Sequence, residues 1–300
     1  MIWSVVPAVF TGIWSTGFVV AGVVSAHGEP LSFLSLRYAV AIAVLAPAAL
    51  LMRARWPSTP QAWLQAMLSG VLLHGAYQGA NYWAIQHGLP AGIAALIGAL
   101  QPLLTALAAG SLLGERLSPT RWCGVALGFV GVAVVLGPKL DGAAALAAFG
   151  TPVAFAVIAT ITITAATFYQ KRALADFDLR ALVPIQFVGA ALFTAPLALL
   201  LETPRFDPTP DMLVALGWAV LGLSICAPVM MMLMIARGDV SRVAALMYLI
   251  PPLTSLQAYA LFGETLSAVQ FLGMAIAAVG VLLANRQDRA AVPSAAHQAR

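Results

Sequence analysis

The sequence predicts an all-α membrane protein with ten transmembrane helices in two inverted five-helix repeats. The 300-residue chain is 61% hydrophobic and only 9% charged, whereas soluble domains carry roughly a quarter of charged residues. It contains ten apolar segments, and about 20 apolar residues are enough for a helix to span a bilayer. The chain also matches itself at an offset of 149 residues. Because five is an odd number of spans, the second repeat enters the membrane from the opposite side.

Short loops separate the predicted spans, and none of them is large enough for an extramembrane catalytic domain. No basic segment precedes the first apolar run, so we predict no cleaved signal peptide. The spans lie near residues 3–25, 31–52, 63–85, 90–113, 119–137, 150–170, 181–201, 211–235, 240–262 and 267–284.

The basic residues predict the orientation, because Lys and Arg concentrate in cytoplasmic loops. With the N-terminus inside, about twelve basic residues are cytoplasmic, and only Lys139 and Arg205 are outside. Both termini are therefore predicted to be cytoplasmic. This placement also accounts for the net charge of +4, so we expect no nucleic-acid partner.

The internal repeat is clearest where residues 94–136 align without gaps on residues 243–285. About 17 of these 43 positions are identical, including Pro102 with Pro251. A Gly-Glu-x-Leu-Ser run also recurs in both copies. The predicted domains are a first repeat (1–137), a linker loop (138–149), a second repeat (150–284) and a disordered cytoplasmic tail (285–300).

Inverted repeats are typical of secondary transporters, which bind substrate near the bilayer midplane between the halves. Two similar halves that exchange conformations would give alternating access. Alternatively, duplication merely enlarged a helical bundle. An enzyme is disfavoured because the spans hold no paired carboxylates, metal-binding set or activated nucleophile. A channel is disfavoured by the repeat and the mostly apolar lining.

A stripe of polar side chains in the third span is the main candidate site. His74, Tyr77, Gln78, Asn81 and Tyr82 fall at helical spacing and share one face. Such a face must meet other helices or a watery cavity, because lipid cannot satisfy its hydrogen bonds. The stripe therefore either lines a central cavity or bonds neighbouring helices.

Arg37, in the second span, is the most costly residue to place in a membrane. Three roles remain open for it. It could bind a substrate carboxylate, bond backbone carbonyls of a broken helix, or reach the outer interface. Its repeat partner is Gln186, also polar, which favours a lining or structural role.

Five further residues are candidates for the substrate-binding site. Met is flexible and makes favourable contacts with aromatic rings, so a Met-rich eighth span could form the wall opposite the stripe; ordinary packing is the alternative. A tryptophan deep in the first span could stack on substrate or fill the core. The candidates are Trp14, Gln101, Met230, Met231 and Tyr248.

Four prolines lie at repeat-related positions within the spans. Proline removes a backbone donor and kinks a helix, so symmetric prolines could act as hinges or as static bends. They are Pro47, Pro102, Pro196 and Pro251. We expect no cofactor and no metal, since Cys123 and Cys226 lie apart in apolar segments. One chain can enclose a site by itself, so we expect a monomer in the lipid bilayer.

These features resemble the drug/metabolite transporter superfamily of the EamA type. The resemblance rests on the two five-helix halves, the Pro…Gly-Glu-x-Leu-Ser patterns of the fourth and ninth spans, and the Arg37-Tyr38 pair. Within that superfamily the chain is most similar to bacterial aromatic amino acid exporters. The resemblance implies export of aromatic amino acids across the bacterial inner membrane, or alternatively of other metabolites or drugs.

Overall fold

The computed structural model describes residues 2–113, 118–140, 142–203, 205–236 and 249–284. These residues are helical apart from short connections and one isolated β-bridge between Gly28 and Phe206. Seven segments are long and apolar enough to cross a membrane: Val6–His27, Pro30–Leu51, Ala91–Ala108, Pro119–Pro138, Ala143–Ala173, Leu179–Leu201 and Pro210–Met231. The apolar helix Ala268–Ala284 is shorter.

Thirteen α-helices and two π-helical turns make up the described part of the chain. In order they are α1 (Ile2–His27), α2 (Pro30–Leu51), α3 (Pro60–Gly70), π1 (Val71–Ala76), α4 (Tyr77–Gln86), α5 (Ala91–Gly98), α6 (Gln101–Leu113), α7 (Pro119–Leu140), α8 (Ala143–Ala173), α9 (Leu179–Leu201), α10 (Pro210–Trp218), π2 (Ala219–Cys226), α11 (Ala227–Ala236), α12 (Ile250–Phe262) and α13 (Ala268–Ala284).

The two π-helical turns occupy related positions in the two halves of the chain. π1 joins α3 to α4, and π2 joins α10 to α11 without a break in the helix. The offset of 149 residues carries π1 onto residues 220–225, which lie within π2. π-helical turns inside α-helices are uncommon and often occur at functional sites.

The predicted fourth span is interrupted near its middle. α5 ends at Gly98 and α6 begins at Gln101, so the chain turns at Ala99 and Leu100 just before Pro102. The equivalent Pro251 is likewise the second residue of its helix, α12. By contrast, Pro47 and Pro196 lie inside the uninterrupted helices α2 and α9.

The helices of the two halves are interleaved. Among the described residues, the helices of the second half pack mainly on those of the first: α9 on α2 and α3, α8 on α4 and α5, α12 on α1 and α5, and α13 on α7. Side chains reinforce this packing. Thr254 and Gln257 of α12 donate to the carbonyl and hydroxyl of Ser15 in α1, at 2.9 and 3.0 Å. The repeats are therefore units of sequence rather than separately packed bodies.

The α7–α13 interface is a close backbone contact between the halves, and glycines line it on both helices. A Cβ atom placed on Gly124 would lie 2.6 Å from Gly280 O, and one on Gly131 would lie 2.6 Å from Gly273 O. The offset of 149 residues relates Gly124 to Gly273 and Gly131 to Gly280. The contact is therefore reciprocal and antiparallel, as a two-fold axis between the helices would produce.

Loops tie α2 and α9 together at both ends. At one end, Glu29 N donates to Arg205 O and Asp207 N donates to His27 O. At the other end, Arg55 N donates to Asp178 Oδ2 at 3.0 Å. Hydrogen bonds from the Arg180 side chain and the Arg55 amide hold the pKa of the Asp178 carboxyl well below its usual range. The α2–α9 pair is thus joined by hydrogen bonds at both of its ends.

Glu202 caps the start of α2 from the far half of the chain. Its carboxylate accepts hydrogen bonds from Leu31 N at 2.7 Å, Ser32 N at 2.8 Å and Ser32 Oγ at 2.9 Å. The first N–H groups of a helix have no partner inside the helix, and a negative charge there is favourable. One side chain therefore both completes α2 and joins it to α9.

We expect Glu202→Ala to lower the free energy of unfolding by about 1–2 kcal/mol, the usual cost of losing a helix cap. Glu202→Gln keeps a hydrogen-bond acceptor without the charge and should lower the free energy of unfolding by less. The measurement is the thermal unfolding midpoint of the purified protein in detergent. An unchanged midpoint in Glu202→Ala would mean that these hydrogen bonds contribute no net stability.

Candidate functional site

A cavity of about 290 Å³ lies between the two halves. Helices α1, α2, α4, α8, α9 and α11 and both π turns contribute to its walls. It is lined by Trp14, Gly17, Phe18, Ala21, Arg37, Leu73, His74, Tyr77, Gln78, Asn81, Tyr82, Ile85, Gln170, Leu174, Leu179, Leu182, Val183, Gln186, Phe187, Leu223, Pro228 and Met231. Polar and apolar groups share this surface, as in pockets for small amphipathic molecules.

The structure brings eight of the eleven predicted site residues to this cavity. All five members of the polar stripe line it, together with Trp14, Arg37 and Met231. Gln101 lies elsewhere, since its Nε2 donates to Thr167 on α8 at 3.1 Å. Met230 packs against the cluster of Phe10, Ala227 and Met234, as Met231 does, but it is not among the residues that line the cavity. Tyr248 lies outside the described residues.

Arg37 is held by neutral hydrogen-bond acceptors from both halves. Its Nε donates to Ser224 Oγ of π2 at 3.1 Å, and its Nη1 donates to Gln78 Oε1 of α4 at 2.8 Å. Only 3% of Arg37 is exposed. It therefore does not reach an outer interface, and its hydrogen bonds go to side chains rather than to carbonyls of a broken helix. Of the three roles open from the sequence, this position is compatible with the first, contact with a substrate in the cavity.

Gln78 connects Arg37 to the neighbouring rings. Its Oε1 also accepts a hydrogen bond from Tyr38 Oη at 3.2 Å, and its Nε2 lies 3.3 Å from His74 Nδ1. Tyr38 Oη donates in addition to the His74 carbonyl at 2.8 Å. One amide thus orients the cation, the phenol and the imidazole, so the polar wall of the cavity is a connected network.

Aromatic rings form much of the remaining wall. Phe187 lies with its ring centroid 4.7 Å from that of His74 and 5.5 Å from that of Tyr38. Trp14 lines the cavity from α1 and is tilted against Phe10, with centroids 5.4 Å apart. Aromatic pairs favour such tilted or offset arrangements. These rings give the site an apolar surface that a planar apolar group can pack against.

Several lining residues carried no signal in the sequence. Phe187, Leu182 and Val183 belong to an apolar stretch of α9 whose residues look alike in composition. Only Gln186 stood out, as the repeat partner of Arg37; it donates to Ser69 Oγ at 2.9 Å. Its neighbour Phe187 could have been found only by recognising that α9 packs on the polar stripe of the third span.

A second cleft of about 230 Å³ lies between α5, α12 and α13. Its described lining is apolar and includes Leu96, Pro251, Phe271 and Met274. Among the described residues that line it, none has a charged or hydrogen-bonding side chain. The central cavity around Arg37 is therefore the better candidate for binding a small molecule with a polar group.

The amino-acid sequence is similar to a known protein family and to individual members of known transporters over most of its length. The sequence profile of the EamA-like transporter family matches residues 1–137 and again residues 150–286. The chain is 29% identical to a probable terminal-alkyne amino-acid exporter of Streptantibioticus cattleyicolor, over 95% of this chain and 93% of that protein. It is 26% identical to a probable amino-acid metabolite efflux pump of Escherichia coli, over 90% of each chain.

A solved crystal structure has the same fold, with a TM-score of 0.66 at 22% sequence identity, and covers 94% of this chain and 95% of the other. The predicted resemblance to EamA transporters is thus confirmed, and a transporter rather than an enzyme is indicated. With its apolar helices and its match to a transporter family over most of its length, the protein is a multi-pass membrane protein that belongs to the EamA-like transporter family.

Proposed function

We propose that the protein exports small amphipathic metabolites, foremost aromatic amino acids, from the bacterial cytoplasm by alternating access. The single observation that carries this proposal is the cavity itself, where a buried guanidinium faces a wall of aromatic rings. An amino acid with an aromatic side chain has a matching polar head and apolar ring. The amino-acid exporter and efflux-pump relatives support the substrate class.

Alternating access is supported by the organisation of the chain. We propose ten spans in two inverted repeats, with both termini in the cytoplasm of a bacterial inner membrane. The reciprocal α7–α13 contact and the paired π turns are what an inverted duplication would leave. Because the halves are interleaved, the moving bodies would combine helices from both halves, with Pro47, Pro102, Pro196 and Pro251 as candidate hinges.

The route into the cavity is proposed to lie at the α8–α9 turn. Leu174 and Leu179, on either side of that turn, both line the cavity, and 43% of Leu179 is exposed. In the proposed orientation this turn is cytoplasmic. A cavity that reaches the cytoplasmic side fits an exporter, which must first take substrate from the cell interior.

Counterflow into proteoliposomes tests the function. Vesicles containing the purified protein and preloaded with unlabelled phenylalanine should accumulate labelled phenylalanine, and external tryptophan or tyrosine should compete. Protein-free vesicles are the control, and a pH gradient reveals any proton coupling. If the protein carries no amino acid while a panel of other metabolites or drugs is transported, the substrate proposal is wrong and the broader exporter alternative holds.

A further inference from the structure

The charge of Arg37 has no acidic partner among the described residues. Both ion pairs of the described chain lie elsewhere, between Arg180 and Asp178 and between Arg205 and Asp207. No described residue that lines the cavity is acidic. The acidic residues that the structure describes all lie in loops or at helix ends: Glu29, Asp176, Asp178, Glu202, Asp207, Asp211 and Glu264. A buried charge without a counter-ion is costly, so an anion that enters the cavity and pairs with Arg37 gains favourable binding free energy.

Arg37 also has donors to spare. A guanidinium carries five N–H donors. The hydrogen bonds of good geometry that Arg37 makes to described residues use only Nε and Nη1. Nearby, the buried hydroxyl of Tyr82 has no hydrogen-bond partner of good geometry, although it lies close enough to Arg37 to interact with it. Unused donors on a held guanidinium match the two oxygens of a carboxylate.

The cavity offers no comparable partner for an ammonium group. Its described lining holds no carboxylate, and the hydrogen-bonding groups it provides are neutral apart from Arg37. Asn81, whose Nδ2 donates to Tyr77 O at 3.1 Å, could offer an ammonium group only its neutral amide oxygen. A cationic ligand would instead meet the like charge of Arg37 where screening by water is weak.

We propose that Arg37 binds the carboxylate of the transported molecule, and that the site requires this carboxylate but not an amino group. The inference rests on the proposed function and narrows its substrate class to aromatic carboxylates, whether or not they carry an amine. Gln78 and Ser224 position the guanidinium, and Tyr82 supplies a hydroxyl beside it. Amines without a carboxylate are excluded.

Three ligands separate these requirements. Phenylalanine carries both groups, 3-phenylpropionate carries only the carboxylate, and phenylalaninamide carries only the amine. The full-length purified protein is titrated with each, and the ligand-induced shift of its unfolding midpoint gives the affinity. Inhibition of labelled phenylalanine uptake in counterflow by each ligand shows whether that ligand also competes for transport. We expect 3-phenylpropionate to bind within a few-fold of phenylalanine, and phenylalaninamide at least about tenfold more weakly.

Variants test the role of Arg37 itself. Arg37→Met should weaken binding of both carboxylates at least about tenfold and abolish the preference over phenylalaninamide. Gln78→Glu keeps the guanidinium but places a protein carboxylate where Gln78 Oε1 now accepts from Arg37 Nη1. It should therefore also weaken the binding of phenylalanine and 3-phenylpropionate. Arg121→Met is the matched control. It removes the same charge from outside the cavity, where Arg121 Nε donates to Ala284 O, and should bind all three ligands as the wild type does.

The outcomes are distinct. Equal binding of phenylalaninamide and 3-phenylpropionate overturns the inference even if phenylalanine is transported. So does undiminished carboxylate binding in Arg37→Met or, if that variant does not fold, in Gln78→Glu. Binding of phenylalanine without binding of 3-phenylpropionate overturns the statement that no amino group is required. If the vesicles transport none of the ligands but 3-phenylpropionate still binds in an Arg37-dependent way, the transport proposal fails and the carboxylate site stands. If neither carboxylate binds, both fail.

Discussion

Gly131→Leu is expected to prevent accumulation of folded protein. A Cβ atom at Gly131 would overlap the backbone of Ala277 and lie 2.6 Å from Gly273 O. Backbone atoms cannot move aside as a flexible side chain can, so α7 and α13 would have to separate along their interface. Overpacking commonly costs about 1–3 kcal/mol, and losing this small-residue contact should raise the cost to about 3–5 kcal/mol.

The measurement is the amount of monodisperse protein after detergent extraction, together with its unfolding midpoint. Gly137→Leu is the matched control. It lies on the same helix, and a Cβ atom there meets nothing within 4 Å, so it should accumulate normally. Equal yields of the two variants would mean that α7 and α13 do not approach as closely as the structure has them.

Gln78→Ala should lower transport more than tenfold while leaving the protein folded. The substitution removes the Gln78 acceptor of Arg37 and one acceptor of Tyr38. Arg37 then keeps only Ser224 among its described acceptors and is free to turn away from its present direction. Leaving a buried polar group unsatisfied costs about 1–3 kcal/mol, and about 1.4 kcal/mol corresponds to a factor of ten in affinity.

Gln86→Ala provides the comparison for Gln78→Ala. Gln86 belongs to the same helix but donates to Glu29 at 3.0 Å and does not line the cavity. Initial rates of counterflow, corrected for the amount of protein in the vesicles, should fall for Gln78→Ala and stay near wild type for Gln86→Ala. Normal rates in both would mean that the polar stripe is interhelical bonding rather than part of the site.

The polar part of the site was predictable because polar groups in a membrane are rare. His74, Gln78 and Asn81 stand out at helical spacing, and Arg37 stands out by its charge. All four line the cavity. The apolar part was not predictable in the same way, because Phe187 and Leu182 resemble the lipid-facing residues around them until α9 is seen to pack on π1.

Local geometry explains the other differences between prediction and structure. Consecutive residues of a helix point about 100° apart, so Met231 reaches the cavity and Met230 does not, although both pack against the cluster of Phe10, Ala227 and Met234. Gln101 follows the break between α5 and α6 and contacts α8 instead. The π turns have no characteristic residue type, so neither their composition nor helical periodicity reveals them in the sequence.

The interleaved packing has a consequence for how the chain is made. α1 ends at His27, but part of its covering surface belongs to helices that begin only at Pro210. At about 5–20 residues per second, the ribosome needs about 10–40 s to synthesise the chain in between. During that time Ser15 lacks its contacts with Thr254 and Gln257.

The nascent helix can tolerate this delay. Ser15 Oγ donates to Gly12 O at 2.8 Å, and Thr16 Oγ1 donates to Ile13 O at 2.6 Å, both within α1. A hydroxyl that bonds its own helix is not left unsatisfied in hydrocarbon. The first helix is therefore able to wait in lipid, and it exchanges lipid for protein neighbours only when the last third of the chain has been inserted.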